Sequence, residues 1–141
     1  MMNRYNIERI CTSSAETALT MAREEANSLG HEVDARHLML GLLKEGKGIG
    51  AKHLNHMKVD AQSIRNLVKD FPNHPARFQT RGVEQFLERA FEECARLGHE
   101  YIGSEHLLLS ILADSENLDF FRTLNVNPSS ARTNLLQLLG H

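Results

Sequence analysis

The feature that most constrains the fold of this chain is an internal repeat. Residues 12–32 align without a gap with residues 80–100, and both segments end in the same Leu-Gly-His-Glu tetrapeptide. After one inserted residue, the leucine-rich residues 37–43 align with residues 106–112. The two copies match in residue identity and in the spacing of their apolar residues, so both are expected to bury the same helix face. The fold is therefore predicted to contain two similar halves.

Within each copy the apolar residues recur at steps of three and four, which is typical of a helix that buries one face. In the first copy these positions are Ala15, Ala18, Leu19, Ala22, Ala26 and Leu29, and their counterparts are Val83, Phe86, Leu87, Ala90, Cys94 and Leu97. Residues that favour helix ends stand at both ends of these helices and at the starts of the shorter helices that follow. The predicted N-caps are Thr12, Asp34, Asp60, Thr80, Ser104 and Asn127, and Gly30 and Gly98 follow the long helices. No period-two strand pattern is present. The predicted fold class is all-α, with eight helices in two four-helix repeats related by a pseudo-twofold axis.

The two copies are predicted to form a single domain over residues 1–141. A chain of 141 residues with 41% hydrophobic and 24% charged residues can bury a core without disulfides or metals. Repeat one is assigned to residues 12–71 and repeat two to residues 80–140. Residues 72–79 are assigned as the linker, because two of the three prolines lie there.

The charge and the apolar runs of the chain exclude some partners. The formal net charge is −2 at pH 7, so no overall basic field attracts nucleic acid or an anionic membrane surface. No stretch approaches the ~18 apolar residues of a membrane helix, and the first residues lack an apolar run of signal-peptide length. The two cysteines fall outside any C-x-x-C spacing. We expect a cytoplasmic protein without nucleic-acid or membrane partners.

Two patterns resemble ligand sites, but each lacks a required part. Residues 41–48 come within one residue of the phosphate-binding loop G-x-x-x-x-G-K-[ST], yet they begin inside a predicted helix and end without the hydroxyl that binds magnesium. His53 and His56 share one helix face, but no third and fourth ligands accompany them at zinc spacing. We therefore expect no cofactor and no metal.

Candidate nucleophiles and acid–base groups also lack partners. Cys94 lies on the buried face of a helix, and Cys11 precedes the first helix without an identifiable base. The acidic pairs Glu24/Glu25 and Glu92/Glu93 are expected to be solvated, because neighbouring helical residues point in different directions. We expect no catalytic residue, and a metal- or nucleotide-dependent enzyme is the alternative class.

Two histidines recur at equivalent places in the copies. His31 and His99 follow the predicted C-terminal glycines, where they can bond helix-end carbonyls. His37 and His106 open the second helix of each copy, where they can pack against the first. The predicted role of all four is structural.

The order of these motifs resembles a known family. The same order of motifs occurs in both copies: Thr, an amphipathic helix, Leu-Gly-His and then a short loop into His-Leu-Leu-Leu or its variant. The helix carries Glu-Glu-Ala near its end in the first copy and Glu-Glu-Cys in the second, and the resemblance covers residues 12–140. The chain resembles the amino-terminal Clp repeat domain of ClpC-type Hsp100 unfoldases. This resemblance implies an eight-helix double repeat that sits on a hexameric AAA+ ring and binds adaptors or tagged substrates. No ATPase module is present in this chain, so the implied module is not an enzyme.

The resemblance also implies site residues. Family members of this type can bind phosphoarginine with a glutamate in Gly-Thr-Glu-His of each repeat, and residues 103–106 match this motif with Ser104 in place of threonine and Glu105 as the glutamate. In repeat one Arg36 stands in place of the glutamate, and one residue is missing. Arginine repels a guanidinium and attracts phosphate. The candidate binding residues are thus Glu105, Ser104 and Arg36; the other interpretation of Glu105 is an acid that stabilises the helix dipole.

Two functions follow from the resemblance. The first is a module of the Clp unfoldase system that docks protein substrates or adaptors, including arginine-phosphorylated proteins, for an AAA+ ring in cis or in trans. The second is a free-standing small protein of the same fold that regulates or stabilises the Clp complex. Excised domain and complete protein both remain open at this point.

Overall fold

The computed structural model describes residues 7–30, 32–70, 83–113 and 118–140, and it confirms the all-α fold class. Eight helices lie in these ranges, four in each predicted repeat. They are α1 (Ser13–Ser28), α2 (Ala35–Glu45), α3 (Ile49–His56), α4 (Ala61–Asp70), α5 (Val83–Arg96), α6 (Ser104–Leu112), α7 (Leu118–Thr123) and α8 (Pro128–Leu138). The predicted linker at 72–79 lies outside the described residues, so the repeat boundaries stay predictions.

Side-chain caps explain where four of these helices begin. The Thr12 hydroxyl accepts the N–H of Ala15 at 3.2 Å, and Asp34 caps α2 by accepting the N–H of Arg36 at 2.8 Å. Asp60 and Asn127 each accept the N–H three residues on, at 2.8 and 3.0 Å. Each cap satisfies a backbone donor that has no partner within the helix. These four predicted N-caps are confirmed, whereas the predicted cap Thr80 lies outside the described residues.

The predicted N-cap at Ser104 is wrong. The cap of α6 is Gly103, with φ −100° and ψ 176°, and Ser104 is the first helical residue. Its hydroxyl instead accepts the N–H of Gly50 at 3.0 Å. A serine that can cap a helix is here used to join α6 to α3 of the other repeat.

The core is continuous across both repeats. The predicted apolar faces of α1 and α5 are buried except at their last positions, where Leu29 is 49% exposed and Leu97 is only partly buried. Both residues lie just beyond the helix, since α1 ends at Ser28 and α5 at Arg96. Between α1 and α2 the backbones approach closely at Gly41, where a Cβ atom would lie 2.2 Å from the carbonyl oxygen of Ala18. The same glycine opens the stretch that resembles a phosphate-binding loop, and residues 41–45 are helical. That stretch is therefore the end of a packed helix and not a strand-loop-helix turn.

The two repeats are also joined by backbone hydrogen bonds. The N–H of Thr12 donates to the carbonyl of Ile102 at 2.8 Å, and the N–H of Ile102 donates to the carbonyl of Ile10 at 2.8 Å. The lead-in to α1 is thereby fixed to the loop that precedes α6. Within the described ranges no helix is long and apolar enough to cross a membrane.

Candidate functional site

The N-terminal turn of α6 brings two of the three predicted site residues together at the junction of the repeats. Ser104 is 1% exposed, and its contact with Gly50 places the start of α3 directly against the start of α6. A Cβ atom on Gly48 would lie 2.3 Å from the Ser104 hydroxyl oxygen. Ser104 is therefore a buried joint between the repeats, and it positions the residue that follows it.

Glu105 is half-buried and lies beside this joint. Its carboxylate folds back over Gly103, where a Cβ atom would meet Oε1 at 2.1 Å. Among the described residues no hydrogen bond or ion pair to this carboxylate is present. The positive end of the α6 dipole lies next to it and stabilises its negative charge. The carboxylate thus keeps its acceptor positions for a group that approaches from solvent.

Two histidines next to Glu105 form a short chain of hydrogen bonds that starts at the backbone of Gly103. The Nδ1 atom of His106 accepts the N–H of Gly103 at 2.8 Å, so the ring proton is on Nε2 and is donated to Nδ1 of His99 at 2.8 Å. Burial lowers the pKa of His106, although the charges of Glu105 and Glu93 act in the opposite direction. A neutral ring is what this hydrogen-bond chain requires.

The structural roles predicted for the histidines at the start of α2 and α6 are confirmed. His37 repeats the bond made by its counterpart His106, since its Nδ1 accepts the N–H of Asp34 at 3.0 Å. The side chain of His99 bonds His106 through Nδ1, and its predicted bond to a helix-end carbonyl stays a prediction. His31 lies outside the described residues.

The third predicted site residue, Arg36, lies in the interior of repeat one. Its side chain is 1% exposed. Nε and Nη2 donate to the two carboxylate oxygens of Asp34 at 3.1 and 2.7 Å, and Nη1 donates to the carbonyl of Leu67 in α4 at 3.2 Å. A ligand would have to open this ion pair to reach the guanidinium. The assignment of Arg36 to the binding site stays a prediction.

Asp34 is held as an anion by this arrangement. Burial acts to raise the pKa of its carboxyl, but the adjacent His37 and Arg36 lower it by more, and the pKa lies below its ordinary value. Because His37 Nδ1 already accepts a backbone N–H, we attribute the stabilising hydrogen bonds to Arg36. The carboxylate at the start of α2 is already paired with Arg36. The Glu105 carboxylate at the start of α6 has no such partner among the described residues.

Of the other candidates from the sequence, Cys94 lies near this turn, since its thiol bonds the carbonyl of Tyr101 at 3.3 Å. His53 is buried, and its Nε2 lies 3.2 Å from the carbonyl of Ala131 in α8. Within the described ranges no group of three or more His, Cys, Asp or Glu side chains is arranged to hold a metal ion. Burial raises the pKa of the Cys11 thiol to about 11 and also raises that of Cys94, so neither sulfur is an activated thiolate.

An ion pair that the sequence interpretation missed links α5 to α8. Glu93 was expected to be solvated, and this is wrong, because the residue is 5% exposed. Its two carboxylate oxygens meet Nη1 and Nη2 of Arg132 at 2.8 and 2.9 Å. The equivalent pair in repeat one, Glu25 with Arg65, is looser at 3.4 Å. The signal in the sequence was the repetition of the pair itself, since a glutamate and an arginine recur at matching places in both copies.

The chain matches a family model described as the Clp repeat (R) N-terminal domain over residues 10–117 and 77–141. It is 33% identical over 137 residues to the negative regulator of genetic competence ClpC/MecB of Bacillus subtilis (strain 168), covering 92% of this chain and 17% of that protein. It is 36% identical over 138 residues to the chloroplastic chaperone protein ClpC1 of Arabidopsis thaliana, covering 92% and 15%. The chain spans about a sixth of the length of these curated relatives.

Among solved structures, the fold is similar to the N-terminal domain of the Caseinolytic protease associated chaperone ClpD from Arabidopsis thaliana. The TM-score is 0.73 at 18% sequence identity, and the match covers 94% of this chain and 96% of that one. The helical double repeat described above is therefore a fold that already occurs in a Clp-associated chaperone.

Proposed function

Because this chain belongs to the Clp repeat (R) N-terminal domain family, we propose that it is a non-catalytic docking module that binds protein substrates or adaptors for a Clp-type AAA+ ATPase ring. The ring is on the same polypeptide or on a separate one. The cytoplasmic location expected from the sequence stays a prediction, since the relatives include a chloroplastic protein as well as a bacterial one.

The observation that carries a more specific role is the Glu105 carboxylate. It is partly exposed, it lies at the start of a helix, and the described residues leave its oxygens without a donor. A carboxylate in this state can accept two parallel N–H bonds from a guanidinium. The adjoining first turn of α6 is the positive end of a helix, which favours a phosphoryl group. We propose that this turn binds phosphoarginine on protein substrates.

The proposal places one such site in each chain. In repeat one the corresponding position is Arg36, whose guanidinium already occupies Asp34. At the start of α2 the chain itself thus supplies the guanidinium that pairs with the carboxylate. Only repeat two presents an open carboxylate at the equivalent turn.

The test is calorimetric titration with free phosphoarginine and with an arginine-phosphorylated peptide. Glu105→Gln keeps the shape of the side chain and removes its charge, and Glu100→Gln is the matched control because Glu100 is exposed on the same loop. We expect one site per chain, and we expect Glu105→Gln to weaken binding by at least about tenfold, since hydrogen bonds to charged groups contribute ~1.5–3 kcal/mol. Glu100→Gln should bind as the unsubstituted chain does.

Two results would contradict the proposal. Absence of binding by the unsubstituted chain removes phosphoarginine as the ligand, and docking of unmodified adaptors is then the role to test by co-purification with a ClpC-type ring. Equal binding of a serine-phosphorylated peptide shows that the turn reads only the phosphoryl group and that Glu105 does not select arginine.

A further inference from the structure

A second surface lies at the other end of α3, away from Ser104. Helices α3 and α8, which belong to different repeats, border a cleft of about 280 Å³ lined by Lys52, His53, His56, Asn134 and Leu138. The floor is fixed across the repeat junction by the contact between the His53 ring and the carbonyl of Ala131. The cleft is therefore part of the packed interface and not a gap between mobile loops.

The segments that border this cleft contain basic residues and no acidic ones. The described residues that line the cleft include one lysine and two histidines and no Asp or Glu. Neither residues 46–59 nor residues 120–141 contain Asp or Glu, although the whole chain has more acidic than basic residues. Arg132 adds no free charge here, because it is paired with Glu93. No carboxylate of the described residues pairs with the exposed Lys52. A lysine beside two histidines, in a cleft whose described lining has no carboxylate, attracts acidic groups in a net-negative protein.

The cleft also has an apolar rim. Leu138 is 67% exposed, more than any other large hydrophobic residue that the structure describes. An aliphatic side chain of a partner would cover it and remove its apolar surface from water. The chemistry that fits the cleft is thus an apolar residue flanked by carboxylates.

From this arrangement we propose that the α3–α8 cleft docks an acidic, leucine-containing segment of a partner protein. A nucleic acid is the poorer fit, because its affinity depends on neutralising several phosphates along a longer basic track. The surface differs in charge from the Glu105 turn, because it presents a lysine and not a carboxylate, so one module would hold two chemically different partner segments. The inference does not depend on phosphoarginine binding.

The test uses a fluorescein-labelled ten-residue peptide of Asp, Glu and Leu, and a matched peptide with Asn and Gln in place of the acids. Lys52→Glu is compared with Lys69→Glu, which reverses an exposed charge on α4 outside the cleft. We expect the acidic peptide to bind and the neutral one to bind more weakly. Lys52→Glu should weaken binding about five- to thirtyfold, because it turns an exposed attraction into a repulsion.

Amide chemical shifts locate the peptide. Perturbations should cluster at residues 52–56 and 134–138, and they should persist in Glu105→Gln, which separates this cleft from the α6 turn. Leu138→Ala should also weaken binding, and its unchanged melting temperature would show that the fold is intact.

Several results would overturn the proposal. These are perturbations centred elsewhere, equal affinity for the neutral peptide, and equal affinity of Lys52→Glu and Lys69→Glu. Tighter binding of a thymidine oligonucleotide or of vesicles rich in anionic phospholipid, in competition with the peptide, would assign the cleft to nucleic acid or to membrane instead.

Discussion

Replacing Arg36 by methionine should destabilise the fold severely, although no ligand is involved. The substitution keeps much of the apolar volume and leaves the Asp34 carboxylate, 8% exposed, without its cation. Breaking a buried ion pair from one side costs ~3–5 kcal/mol. The unfolding free energy of a domain of this size is roughly 7–20 kcal/mol, so the loss would be a large fraction of the total.

The double substitution Asp34→Asn with Arg36→Met separates the buried charge from the lost contacts. Asparagine remains a good N-cap for α2, and no uncompensated charge is left. What remains is the Leu67 carbonyl without its donor, which costs ~1–3 kcal/mol. The double variant should therefore be more stable than Arg36→Met alone, by about 2 kcal/mol.

Urea unfolding followed by circular dichroism measures these differences. Arg65→Met is the control, because Arg65 also pairs with a carboxylate but its side chain is 47% exposed, and it should cost under about 1 kcal/mol. If Arg36→Met and Arg65→Met are equally stable, or if the double variant is no more stable than Arg36→Met, the buried ion pair does not stabilise the fold as argued.

Two further changes test the core of repeat two. Glu93→Gln should lower the unfolding free energy by about 1–3 kcal/mol, because Arg132 loses a charged partner in a mostly buried place; an unchanged urea midpoint would contradict this. Acidification should destabilise the chain through His106, whose pKa is lower in the fold than when unfolded. The unfolded state then binds more protons, so this contribution is present above about pH 6.5 and is lost as the pH falls through the folded pKa. Urea midpoints from pH 8 to pH 5 should fall less steeply in His106→Asn, and parallel curves would refute the assignment.

The architecture could be predicted well from the sequence because the signals for helices lie close together along the chain. Helix periodicity, the caps at Thr12 and Asn127, and the glycines after α1 and α5 all depend on residues within one or two turns. The glycines are confirmed by their left-handed φ angles of 69° at Gly30 and 74° at Gly98. The histidines at positions 37 and 106 were placed correctly for the same reason.

The site was less predictable because its contacts are long-range. Nothing near Arg36 in the sequence indicates that its guanidinium reaches a carbonyl 31 residues further along the chain. Ser104 has the residue type of a cap, and only the packing of α3 shows that its hydroxyl faces Gly50. Glu93 looks like a solvated acid until α8 places Arg132 against it.

Equivalent positions in the two repeats have diverged toward different uses. In repeat one Arg36 closes the start of α2 with a buried ion pair, and the following helix α3 then begins against Ser104. In repeat two the same turn leaves Glu105 open. Repeat one thus helps to position Glu105 of repeat two, because the N–H of Gly50 bonds Ser104, the first residue of α6. Two copies of one unit therefore yield a single open carboxylate at these turns. If the proposed function is correct, docking depends on the junction between the repeats and not on either repeat alone.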